Sequence, residues 1–113
     1  MAIQIYTLKK NFDAQKAERY FKERRIAYQL VDLTRSKMGK RELQAVEAQV
    51  GLEALMDRKS NAFLESTIRF STDRDRIFEV LAEQPAMLRL PIVRNGKLAT
   101  VGYQPEVWGQ WSV

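Results

Sequence analysis

The strongest constraint on this chain is that its strand-like patterns sit at both ends, with a long helical stretch between them. At the N-terminus, residues 2–7 (AIQIYT) alternate apolar Ile3 and Ile5 with polar neighbours before Tyr6, a period-two strand signature. Residues 8–12 form a short connection. Asp13 is a candidate N-cap for a helix whose inner face is Ala17, Tyr20 and Phe21. Residues 27–33 (AYQLVDL) return to strand character. A strand, a helix and a second strand make a βαβ unit, so the crossover should be right-handed and the strands parallel. At the far end, Leu90-Pro91-Ile92-Val93 runs into Arg94-Asn95-Gly96-Lys97 and then Leu98–Val101. Asn-Gly between two apolar runs predicts a hairpin turning at Asn95-Gly96. Runs this short are unstable alone. The two ends must therefore pair with one another.

Between them the pattern is helical. Lys40–Val50 carries Leu43, Val46 and Val50 on one stripe, with Gly51 as its stop. Residues 52–56 and 61–65 read as shorter helical pieces. Residues 73–84 form an amphipathic helix with Ile77, Phe78 and Leu81 inward, capped by Ser71 or Thr72 and ended by Pro85. Pro105 suits the first turn of a closing helix over 105–110, with Val107 and Trp108 on its apolar face and Trp111 partly exposed. The order is β-α-β, helices, then β-β-α. This predicts an α/β fold with a mixed four-stranded sheet, one domain over 1–113 with a helical insertion at about 36–84.

The 113 residues include no cysteine and no histidine. That excludes a thiolate nucleophile, disulfide exchange, Cys or His metal ligation and imidazole acid–base chemistry. The net charge of +5 invites a nucleic-acid reading. Yet Lys22, Arg24, Arg25, Lys37, Arg41, Arg74 and Arg76 are interleaved with Glu or Asp or spread over several elements, unlike the basic stripe of a nucleic-acid face, so direct nucleic-acid contact is not expected. No apolar run reaches the length of a membrane span. The opening residues show no charged segment leading into an apolar one, which makes the cytoplasm the expected location.

Three stretches carry a family resemblance. They are IYTLKKNFDAQKA at 5–17, MDRKSNAF at 56–63 and PAMLRLPIVRNGKLATVGYQPEVW at 85–108. Together with the element order, they resemble the thioredoxin fold. Within it they are most similar to the arsenate reductase-like family that includes the Spx-type transcriptional regulators. The resemblance covers nearly the whole chain, and the C-terminal stretch is its most specific part. It implies a thioredoxin-like sheet, with a cis bond at Leu90–Pro91 and a peptide- or glutathione-binding edge beside it.

The resemblance also locates what is missing. The family's nucleophilic Cys falls on Asn11, the second Cys of the redox pair on Ala14, and the Arg that often follows on Gln15. The Arg preceding the strand-opening Pro falls on Leu90, with Arg89 adjacent. The segment at Val101-Gly102-Tyr103 has no Arg, so Arg58 alone survives from the oxyanion-binding set. One Arg cannot replace a cluster of forked, charge-assisted hydrogen bonds. Asn11 has two readings. Its amide caps the helix, or it belongs to a vestigial ligand pocket of Lys10, Asn11, Phe12, Arg58, Arg89, Leu90 and Pro91, in which backbone N–H groups at 11–13 meet an anion or glutathione.

No catalytic residue and no metal site is expected, and glutathione is the single candidate cofactor. The resemblance implies a catalytically silent member of the family that acts by binding, with a protein partner and a regulatory role as the expectation. The alternative is a glutathione-binding oxidoreductase or transferase using an external thiol, held at Pro91 and activated by Asn11, Tyr6 or Lys10.

Overall fold

Short strands can persist only by pairing across the sequence, and the four strands of this chain do so. The structure is a computed structural model that describes residues 3–9 and 11–111. β1 (Ile3–Thr7) lies parallel to β2 (Tyr28–Asp32), with Ile5 opposite Leu30. β3 (Ile92–Asn95) runs antiparallel to β1, with Ile5 opposite Val93, and β4 (Leu98–Val101) closes the hairpin. The sheet order is β2-β1-β3-β4. β1 is therefore central, and Leu90–Pro91 is cis, both as expected.

Alternation along the central strands divides the apolar residues between two faces. On one face Ile3, Ile5 and Val93 pack with Ala17, Tyr20 and Phe21 of α1 (Phe12–Glu23) and with Trp108 of α6 (Pro105–Trp108). On the other face Tyr6, Ile92, Ala99 and Val101 meet the helices between the two strand pairs. These are α2 (Lys40–Val50), α3 (Leu52–Leu55), α4 (Asn61–Leu64) and α5 (Arg74–Glu83). Leu43, Val46, Ile77, Phe78 and Leu81 from this group are buried in the same core. Single 3-10 turns at Thr67–Phe70 and Pro85–Met87 lead into and out of α5. No helix of the described residues is long and apolar enough to cross a membrane.

The structure corrects four details of the sequence reading. The cap of α1 is Asn11, in agreement with one of its two readings, rather than Asp13, because the Asn11 carboxamide oxygen accepts from the Ala14 N–H at 2.8 Å. The cap of α5 is Asp73, which accepts from the Arg76 N–H at 3.3 Å, while Ser71 accepts from the Asp73 N–H. A carboxylate directly at the head of the helix suits its positive end better than a hydroxyl further back. In the hairpin, Asn95 pairs with Leu98, so the two-residue corner is Gly96-Lys97. Gly96 has φ 61, and a corner with positive φ at its first position favours glycine there. Last, α6 is a single turn in which Trp108 is buried but Val107 is exposed.

Candidate functional site

Two devices bring part of the sequence-predicted site together. The first is the turn from β1 into α1. β1 ends at Thr7, and Asn11 then caps α1 from an extended conformation. Its amide satisfies one of the N–H groups a helix start leaves unpaired. Asn11 is half-buried, and Phe12, the first helical residue, is 77% exposed. Lys10 lies outside the described residues.

The second device is a short antiparallel stitch between distant segments. Met56 bridges Leu88. The Asp57 N–H donates to the Met87 carbonyl at 2.7 Å, and the Arg89 N–H donates to the Leu55 carbonyl at 2.9 Å. The exit of α3 is thereby held beside the segment leading to Pro91. Pro91 itself is buried, its carbonyl accepting from the Gly102 N–H at 2.9 Å.

Between these devices lies an open depression of about 620 Å³. Asn11, Arg89 and Leu90 from the sequence-predicted set line it. Lys9, Asp13, Asp57 and Lys59 supply the rest of its charge. Phe12 and Pro91 flank this depression in sequence without lining it.

Arg58 is occupied elsewhere. Its guanidinium donates to both carboxylate oxygens of Glu53, at 2.6 and 2.5 Å, and lies 5.3 Å from the Phe63 ring centre. The paired hydrogen bonds hold the Glu53 carboxyl below its ordinary pKa and raise that of Arg58. A forked pair of this geometry uses the donors that an oxyanion would need. Lys59 and Arg89 instead face the depression, and neither makes an ion pair among the described residues. Sequence reasoning missed Lys9, Lys59, Asp13 and Asp57. Lys59 and Asp57 flank Arg58 within MDRKSNAF, so the segment was identified and the facing residues were not.

The chemistry available here follows from the residue types. Asn11 offers an amide, Lys9, Lys59 and Arg89 offer cations, and Asp13 and Asp57 offer carboxylates. No group of three or more metal-ligating side chains occurs among the described residues. The scaffold, with a β1–α1 turn facing the segment before the strand-opening proline, is the decisive feature for comparison. The sequence model of the ArsC family matches residues 6–111.

The chain belongs to the ArsC family. An uncharacterized protein of Haemophilus influenzae is 25% identical over 103 residues, covering 89% of this chain and 90% of the relative. The arsenate reductase from Vibrio cholerae superposes with a TM-score of 0.83 at 25% identity, covering 95% of this chain and 94% of the other. An arsenate reductase-related protein from Brucella melitensis has a TM-score of 0.72 at 22% identity, covering 98% and 94%. The ArsC-family fold is thus a mixed four-stranded thioredoxin-like sheet with helices. This member carries it without any cysteine.

Proposed function

We propose that this protein is a catalytically silent ArsC-family member that acts by binding a protein partner, in a regulatory role. The observation that carries this reading is Asn11. It stands where the family resemblance places the nucleophilic Cys, and its side chain is committed to capping α1 through the Ala14 N–H. A carboxamide has no electron pair able to attack arsenate or a disulfide at neutral pH, and no other residue supplies a thiolate. What remains is a folded surface with a charged depression. The test is arsenate-dependent oxidation of glutathione, with and without glutaredoxin, and reduction of a model disulfide. The expected result is no turnover above the protein-free control. Turnover above it rejects the silent reading.

A second reading rests on the charge pattern of the depression. Glutathione carries two carboxylates and one ammonium, and Lys9, Lys59 and Arg89 opposed to Asp13 and Asp57 offer matching signs. In this reading the protein is a glutathione-binding oxidoreductase or transferase that uses the bound thiol. Calorimetric titration with glutathione, sulfate and arsenate separates the two. Saturable glutathione binding that Arg89→Ala and Lys59→Ala both weaken favours the second reading. Absence of binding favours the first.

A further inference from the structure

The two edges of the sheet are finished differently. At one edge Ala99, Thr100 and Val101 of β4 are buried, and β4 packs against α2. At the other edge β2 has no such cover, and Leu30 at its centre is 48% exposed. The backbone of β2 is also half unpaired. The Ala27 carbonyl and the Leu33 N–H bond to β1, through Ile3 and Thr7. With the two-residue period of a strand, the ladder uses Gln29 and Val31 as well. Tyr28, Leu30 and Asp32 therefore turn their N–H and C=O groups outward. Proteins guard such an edge with lysine, proline or a bulge, and β2 (YQLVD) has none of these.

The side chains around this edge indicate what fits it. A groove of about 300 Å³ runs between β2 and α1, with Leu8, Ala14 and Leu30 as its apolar lining. Glu18 reaches this groove from α1, but it accepts the Tyr28 hydroxyl at 2.9 Å. Exposed cations stand past both ends of the strand, Arg25 before it and Arg35 after it, with Lys9 beside Asp32. Among the described residues none of these three makes an ion pair within 4.0 Å. A second copy of the chain is a poor occupant. Two-fold pairing centred on Leu30 sets Tyr28 against Asp32, and continued outward it sets Arg25 against Arg35, between molecules that each carry +5.

We propose that the β2 edge is the docking site for an extended segment of a partner protein, apolar at its centre and acidic on both flanks. The segment adds a fifth strand through the outward groups of Tyr28, Leu30 and Asp32, lays an apolar side chain over Leu30, and sets its carboxylates against Arg25, Arg35 and Lys9. This inference rests on the binding reading given above and specifies its surface.

The probe is a fluorescein-labelled peptide of four alternating valine and threonine residues with two glutamates at each end. Its control is the same peptide with lysines in place of the glutamates. The expected result is saturable anisotropy for the acidic peptide, at least tenfold weaker for the lysine control and weakened by salt. Amide shifts should be concentrated at Tyr28, Leu30 and Asp32. Leu30→Pro removes one outward N–H while leaving the inward ladder intact, a placement proline tolerates on an edge strand, and should abolish binding. The double change Arg25→Glu and Arg35→Glu leaves the edge itself untouched and should weaken binding at least tenfold. Equal binding of both peptides, no binding, or shifts confined to other elements overturns the proposal. So does a dimer in analytical ultracentrifugation that Leu30→Pro dissolves. Cross-linked capture from lysate separates the two levels of the argument. Partners held equally by wild type and Leu30→Pro refute the edge but leave the binding reading standing. Absence of partners for either protein removes the binding reading itself.

Discussion

Replacing Thr100 by Val tests whether the strut beneath the sheet is polar as well as apolar. The Trp108 indole is 1% exposed and sits among Phe21 at 5.1 Å, Tyr20 at 5.3 Å and Tyr103 at 5.6 Å between ring centres. Its Nε1–H donates to the Thr100 hydroxyl at 2.8 Å, where Thr100 is itself 6% exposed. Valine keeps the shape and removes only the acceptor. Leaving a buried donor unpaired costs about 1–3 kcal/mol, and release of a buried hydroxyl offsets part of that, so the expected loss is ~1–2 kcal/mol. For a chain of 113 residues, an unfolding entropy of about 2.1 cal/mol/K per residue converts this to a Tm lowered by roughly 4–8 °C. Thermal and urea unfolding by circular dichroism at 222 nm give the number. In a Trp108→Phe background the donor is gone, so Thr100→Val should then be nearly neutral, a coupling of ~1–2 kcal/mol in the double-mutant cycle. A loss below about 0.5 kcal/mol in the wild-type background, or equal losses in both backgrounds, refutes the reasoning.

Asn11→Cys with Leu90→Arg should create a thiol titrating below the ordinary value of about 8.5, since it would stand at the positive end of α1 beside Lys9 and Arg89; alkylation rate against pH measures it, and an unshifted thiol shows that position 11 lacks that environment. Asn11→Ala removes the cap accepting from Ala14 and should cost about 1 kcal/mol, read from urea unfolding, whereas Asn11→Asp should keep most of it. Partial burial and the hydrogen bond to Glu18 push Tyr28 up to about 12. Its phenol is held protonated by the fold, so its contribution is present below pH 10 and lost as pH rises through 12; absorbance at 295 nm should show a late component that Tyr28→Phe removes. Arg25 closes α1 with φ 58 while its N–H and that of Ile26 bond back to Lys22 and Phe21. Arg25→Gly relieves about 1–2 kcal/mol of left-handed strain and returns ~0.4–1 kcal/mol through a freer unfolded chain, so a slightly raised Tm is expected and a lowered one counts against it.

What the sequence disclosed was governed by local pattern. Ile3 and Ile5, the Leu43–Val46 stripe and Ile77–Phe78–Leu81 are periodic, and each became an element with the expected face buried. The hairpin slipped by one residue because two rules pointed to adjacent positions. Asn-Gly marks a corner, but positive φ was needed only at its first residue, and Asn95 was drawn into the buried strand pairing. The site was less legible because its geometry depends on the Met56–Leu88 bridge, a contact between residues far apart that leaves no periodic trace. The same bridge explains why Arg58 was misplaced: the chain turns Asp57 and Lys59 toward the depression, and Glu53, five residues away on the adjoining helix, engages the guanidinium between them.

Asn11 shows how this scaffold holds the head of α1 without a thiol. A cysteine at a helix start is a reactive group that the positive end of the helix activates, whereas asparagine at the same point is a cap that the same N–H groups hold. Here Oδ1 meets the Ala14 N–H at 2.8 Å and holds the first turn of α1. The forked donors of Arg58 likewise close on Glu53. Both side chains are thus engaged in intramolecular contacts. Further outward polar groups lie along β2, where the amides of Tyr28, Leu30 and Asp32 have no partner strand among the described residues. The proposed partner segment therefore meets the edge of the sheet rather than the head of α1.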